Sequence, residues 1–485
     1  MEKAAARGAI TSVRTKIFYG LGSVAFGVKD NGFQTILLPF YNQVMHLPPQ
    51  LVGAAIAIAL MFDAVFDPIV GQISDNLRTR WGRRHPLMYL SALPVAVSYL
   101  LLWNPPHHWS QGALFTYLVV VAIVTRTFIT FYEVPSSALV PELTEDYDQR
   151  TSFISYRIFF GWYGGMTMLV LAYSVFLQPD ATYKVGQLNE TGYSHYGITA
   201  AIVMCLAILI SAWGTHRFIP LFRKPQSQRK SIWQYAKEMA ATLSNRAFLI
   251  LMLSGLFFYT AVGLVFALNF YVNTYFWMLT SSQLSIIALA TFISVFFAFL
   301  ISPAISRRLG KKVGFVLMFN IGLLISMIPL GLRLIGMFPA NFTPGLVVAL
   351  FVFAAISGTL TIGASIMLVS MLADIVEASE TTTGRRSEGL FFAGSSFLQK
   401  ATTGVGLFLS GAVLWAARFP DHAVPGHVDP AIINRFLLIY VPLDGVLFLI
   451  SLFVIWFFPI TRESHAETLL TLAAEVGQAT PQEPT

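Results

Sequence analysis

From residue 17 to residue 460 the chain alternates long apolar runs with short polar loops. A membrane-spanning helix needs about 20 predominantly apolar residues. Runs near that length fall at 17–43, 51–73, 86–104, 113–137, 152–177, 196–214, 246–275, 282–304, 313–335, 345–370, 388–416 and 434–459. The pattern predicts an all-α membrane protein of twelve transmembrane helices. The longest polar interruption, 217–246, separates two sets of six runs. Expected domains are therefore an N-terminal six-helix bundle at 1–214, a cytoplasmic linker at 215–245, a C-terminal six-helix bundle at 246–460 and a cytoplasmic tail at 461–485.

The two sets echo each other. SDNLRTRWGRRHP follows the second run and SRRLGKKVG the eighth, each with a Gly before two basic residues. LVPELTEDYDQRTS follows the fourth run and MLADIVEASETTTGRRSE the tenth, each with an early acid and a late Arg. Matching loops at matching positions predict two pseudo-symmetric bundles. In the linker, Ile232, Tyr235, Ala236, Met239, Ala240 and Leu243 recur at helical spacing. They predict a basic amphipathic helix, either lying on the membrane surface or solvated as a linker. The tail carries a shorter amphipathic stretch, AETLLTLAAEV.

Composition agrees with the hydropathy pattern. Hydrophobic residues make up 55% and charged residues 11%, against roughly 25% charged in soluble domains. Mean hydropathy is +0.66. A net charge of +7 would suggest nucleic acid in a soluble protein. Here 23 of the 31 Lys and Arg fall in segments on one side of the predicted membrane. The positive-inside rule then predicts cytoplasmic termini and accounts for the charge without a nucleic-acid partner. The single cysteine, Cys205, rules out an internal disulfide or a Cys-based metal site. No Walker A, HExxH or G-x-S-x-G pattern occurs, so neither ATP-driven transport nor common hydrolase chemistry is expected.

Ionisable residues inside the runs are the candidate chemistry, because each charge at bilayer depth costs about 2.5–3.5 kcal/mol on insertion scales. Asp63 and Asp67 lie four apart, one helical turn, in the second run. Two carboxylates so placed can offer oxygen ligands to Na⁺, or one can take H⁺. Pairing with Lys29 or Lys400 is the alternative. Lys29 and Asp30 are adjacent in the first run, and serve either a cavity or an ion pair at a helix break. Arg126 and Glu133 share a face of the fourth run, where Arg126 is assigned to packing or the outer end. Glu133 with Arg157 of the fifth run forms either a sugar-binding pair, since sugar hydroxyls both donate and accept, or a structural bridge. Lys400 is the only ionisable group within its stretch of the eleventh run, with the aspartates of the second run or Asp444 as partner. No cofactor is expected beyond a coupling ion, Na⁺ or H⁺.

At these residues the chain resembles the glycoside–pentoside–hexuronide:cation symporters of the major facilitator superfamily. The segments FDAVFDPIVGQISDNLRTRWGRRHP, YEVPSSALVPELTEDYDQRTSFISYR, LADIVE and RRSEGLFFAGSSFLQK carry the resemblance. It implies the major facilitator fold and alternating access. It also implies cation binding at Asp63 and Asp67, sugar binding at Glu133 and Arg157, and a bridging role for Lys400. Gly27 stands where the family's melibiose carriers have a sugar-binding aspartate, with Asp30 one turn later. Ser137 stands where they have a sugar-stacking tryptophan. The expected function is cation-coupled symport of a small polar solute, a sugar or glycoside, by a monomer and not an enzyme. The alternatives are transport of an amphipathic, lysolipid-like or drug-like substrate, and a non-transporting receptor.

Overall fold

The apolar runs fold as helices. The computed structural model of the chain describes residues 10–144, 146–221, 245–383 and 388–460. Among the described residues, eleven helices are long and apolar enough to cross a membrane. The second to sixth helices are Pro49–Asn76, His85–Leu102, Gln111–Ser137, Tyr147–Leu171 and Glu190–His216. The seventh to twelfth are Arg246–Tyr271, Ser281–Leu309, Lys311–Leu334, Pro344–Thr383, Glu388–Ala416 and Pro430–Trp456.

The first run is also helical, but in pieces. Val13–Leu21 and Ser23–Asn31 are α-helical, and wide π turns at Gly32–Ile36 and Phe40–Val44 flank Leu37–Pro39. Pro39 has no N–H for the Thr35 carbonyl one turn back, and a widened turn absorbs that lost bond. Side-chain caps mark several helix starts. Ser12, Ser110, Asp146 and Asn189 accept from the backbone N–H of Thr15, Ala113, Gln149 and Gly192. The expected amphipathic linker helix and the AETLLTLAAEV stretch lie outside the described residues.

The internal repeat is visible in the backbone. The first helix ends in the π turn Phe40–Val44 and the seventh continues into the π turn Val272–Phe276. Met45 N–H donates to Phe40 C=O at 3.0 Å and Leu47 N–H to Tyr41 C=O at 2.9 Å. Trp277 N–H donates to Val272 C=O at 3.0 Å and Leu279 N–H to Asn273 C=O at 2.9 Å. A residue with positive φ follows each turn, His46 at 58° and Met278 at 52°. The same strained exit is thus built twice, from dissimilar side chains.

Chain contacts divide the molecule into two compact units. The first holds Met1–Gln228, Val262–Leu289 and Thr403–Val441; the second holds Arg229–Ala261, Ala290–Thr402 and Pro442–Thr485. In the first unit the sixth helix packs on the third, the first on the fifth, and the fourth on both the second and third. Glycines set the first–fifth crossing. A Cβ at Gly27 would overlap the Gly161 carbonyl, and one at Gly164 would press on Val24. In the second unit the ninth helix packs on the tenth. Phe319 there joins Phe258, Phe315 and Phe448 in one aromatic cluster.

Candidate cation and solute site

The second and fourth helices build the acidic centre. Asp63 is 1% exposed, and Asp67, one turn along the same face, is half-buried. Arg126 Nη2 of the fourth helix meets Asp63 Oδ2 at 2.6 Å, and the guanidinium lies over the Phe33 ring at 5.3 Å. Arg126 is therefore the buried counter-ion of Asp63. The sequence reading gave Arg126 to packing or the outer end, and the ion pair corrects that assignment. Thr130 completes the centre: its hydroxyl lies 2.7 Å from Asp63 Oδ1 and 3.2 Å from Asp67 Oδ1. Pro68, inside the helix, has no N–H for the Ala64 carbonyl beside the two acids.

Two turns along the fourth helix, Glu133 meets Arg157 as the sequence suggests. Arg157 Nη2 lies 3.9 Å from Glu133 Oε1, and the guanidinium also donates to Ser136 Oγ and to the Glu133 carbonyl, each at 3.4 Å. Arg157 lies over the Phe26 ring at 5.0 Å. Arg126 and Glu133 are seven residues apart, as are Phe26 and Phe33. The fourth helix thus carries two ion pairs on one face, each backed by an aromatic ring of the first helix.

The remaining candidates divide. Lys29 is buried, and its Nζ meets Asp30 Oδ1 at 2.7 Å, just before the first π turn. Asp30 leaves 43% of its side chain exposed. Gly27 is a packing glycine held against Gly161, so no acid of the melibiose-carrier kind fits there without moving the fifth helix. Ser137 is exposed and donates to the Val134 carbonyl. Lys400 stands on the eleventh helix, in the second unit.

Two clamps went unread in the sequence although their motifs were seen. Glu142 Oε1 receives Arg83 Nη2 at 2.6 Å and Arg84 Nε at 3.0 Å, while Arg84 Nη2 reaches Asp75 at 2.6 Å. In the second unit Lys311 pairs with Asp374. These are the basic and acidic residues of the echoing loops, so the repeat extends to its ion pairs. A polar knot joins the first helix to other parts of its unit. Gln43 donates to the Pro420 carbonyl at 2.9 Å and accepts from Ala423 N–H at 2.8 Å and Tyr275 Oη at 3.1 Å. Asn42 donates to Asp421 Oδ1 at 3.1 Å and accepts from Tyr271 Oη at 2.8 Å.

Helical membrane architecture with paired charges inside it defines a transporter-type protein, and comparison with known proteins gives the family. The model of the MFS/sugar transport protein family matches residues 18–462. The chain belongs to that family, the glycoside–pentoside–hexuronide:cation symporters of the major facilitator superfamily. It is similar to an uncharacterised symporter of Synechocystis, 28% identical over 95% of this chain and 96% of that protein. It is also similar to the inner membrane symporter YicJ of Escherichia coli, 24% identical over 91% and 90%. The isoprimeverose transporter of Lactiplantibacillus pentosus is 24% identical over 88% and 85%. Among solved structures, the inward-open xylose transporter XylE of E. coli matches with a TM-score of 0.59 at 16% identity, over 94% of this chain and 98% of that one. The nucleoside transporter NupG matches with a TM-score of 0.61 at 15% identity, over 92% and 99%. These show the fold: twelve transmembrane helices in two pseudo-symmetric six-helix bundles. The chain is an integral membrane protein of the secondary-transporter class.

Proposed function

We propose that the protein couples entry of Na⁺ or H⁺ to uptake of a small polar solute, a sugar or glycoside, by alternating access. The observation that carries this reading is the Asp63–Arg126 pair with Thr130 and Asp67 beside it. Arg126 acts as an internal stand-in cation. A proton or Na⁺ arriving at Asp63 competes with the guanidinium, so ion occupancy and the position of Arg126 are linked. The Thr130 hydroxyl, within reach of both carboxylates, ties Asp67 to the same centre. Names among the relatives, isoprimeverose transporter and lactose permease, favour a sugar cargo.

In this reading Asp63 and Asp67 bind the cation. Glu133 and Arg157 bind the solute through paired acceptor and donor groups, with Asp30, Lys29 and Lys400 as further solute contacts. Residues 1–214 and 246–460 act as the two moving bundles. The basic loops and both termini face the cytoplasm of a bacterial cell, and the monomer is the working unit. Thermal unfolding of the purified protein tests the site. Na⁺ or acid should stabilise wild type by mass action and should enhance stabilisation by a pentoside, lactose or glucuronide. Equal stabilisation of Asp63→Asn by the ion would refute the assignment.

A further inference from the structure

Asp444 of the twelfth helix belongs to neither ion pair. It is 1% exposed, and neither Oδ1 nor Oδ2 has a hydrogen-bond partner among the described residues. Phe448, Ser451 and Ile455 continue its buried face at helical spacing. Ser451 and Ser254 of the seventh helix exchange hydrogen bonds, each hydroxyl donating to the other's carbonyl at 3.0 Å. One turn nearer Asp444, Phe448 packs edge-on to Phe319 of the ninth helix at 4.6 Å, and Phe319 lies 5.1 Å from Phe258. The buried face that continues from Asp444 thus carries a serine clasp and an aromatic contact.

None of the described titratable groups on the seventh, ninth and eleventh helices, Lys400 included, hydrogen-bonds to Asp444. On the ninth helix, Lys311 pairs with Asp374, Lys312 donates to the Trp456 and Phe458 carbonyls, and Arg333 donates to the Pro339 carbonyl and Asn341. On the seventh, Arg246 begins the helix, Tyr271 donates to Asn42, and Tyr259 makes no hydrogen bond to Asp444. On the twelfth itself, Arg435 donates to the Ala417 carbonyl and Tyr440 stands one turn earlier. An ionised carboxylate buried here would have no hydrogen-bond donor among the described residues to replace its water. A neutral carboxylic acid meets that condition at far lower cost.

We propose that Asp444 is a proton-binding site of the second unit, occupied as the neutral acid and separate from the Asp63–Asp67 centre. The ligand is H⁺ alone, because binding a metal ion would require several further oxygen ligands. This goes beyond the coupling ion of the proposed transport reaction and holds whether or not that ion is Na⁺.

Infrared difference spectroscopy of the full-length protein in lipid, wild type minus Asp444→Asn at neutral pH, tests it. The proposal predicts loss of a protonated-carboxyl C=O stretching band in the variant, with the wild-type band shifting in D₂O. Loss of ionised-carboxylate bands instead would overturn it, whether a hidden base or a bound metal held the charge. Asp444→Leu supplies a second readout, since a neutral acid in an apolar site is replaced without leaving a charge behind. Its unfolding temperature should match or exceed that of wild type. A marked fall in both Asp444→Leu and Asp444→Asn would mean a lost ionic partner and would also overturn the proposal.

Discussion

Arg126 of the fourth helix and Asp63 of the second form a buried ion pair, with Nη2 and Oδ2 2.6 Å apart. Both side chains are nearly inaccessible, at 3% and 0% exposed. Breaking such a pair by removing one partner leaves a bare charge and typically costs about 3–5 kcal/mol. Asp63→Asn and Arg126→Gln should each lower the unfolding temperature strongly. The double variant should recover much of that stability, because it removes both charges of this pair, yet it should not recover ion-driven accumulation. Unfolding curves and uptake measured on the same three variants separate the two roles.

Thr130 touches both carboxylates. Thr130→Val keeps the shape and removes the hydroxyl, so apparent cation affinity should fall about tenfold, the lower end of the effect of losing a partner that orients a ligand. Thr130→Ser should retain most of the affinity. Titrating cation-dependent stabilisation or uptake checks both.

Gly27 is fixed by contact with the fifth helix. Gly27→Asp would restore the acid found at this position in melibiose carriers, but its Cβ would overlap the Gly161 carbonyl. The variant should fold poorly or not at all, as judged by yield and size-exclusion profile. A well-folded variant with gained galactoside transport would show that the crossing yields easily.

Glu142 takes both Arg83 and Arg84, and its side chain is only 9% exposed. Glu142→Gln should destabilise the protein by about 3 kcal/mol or more, since it leaves Arg84 buried with only Asp75 and Ser74 as partners. Asp374→Asn, its counterpart in the second unit, should act in the same direction through Lys311. Paired chemical-denaturation or thermal curves compare them.

Gln43 uses both ends of its amide in the polar knot with Pro420, Ala423 and Tyr275. Gln43→Leu should cost about 1–3 kcal/mol, because it strands buried donors and acceptors. Accessibility of a cysteine introduced at the exposed position His422 should rise in that variant, as read by labelling rate.

The helices were legible in the chain because bilayer thickness imposes a length and a composition that few other structures share. The echo between SDNLRTRWGRRHP and SRRLGKKVG was legible too, and the Arg84–Glu142 and Lys311–Asp374 pairs give it a physical basis. The partner of Asp63 was not. Residues 126, 130 and 133 share one face of the fourth helix, a pattern open to inspection. Spacing along one helix, however, does not say which neighbour that face meets. The π turns of the first helix were equally hidden, since only Pro39 marks them and proline kinks take several forms. Gly27 read as a missing acid until its approach to Gly161 gave it a packing role.

Concentrative uptake in proteoliposomes tests the central claim most directly. Wild type and Asp63→Asn would be given an imposed Na⁺ or H⁺ gradient and a panel of pentosides, lactose and glucuronides. The account predicts that wild type accumulates at least one solute above the external concentration only when the gradient is present. It also predicts that Asp63→Asn at most equilibrates that solute. Accumulation by Asp63→Asn at the wild-type ratio would contradict it.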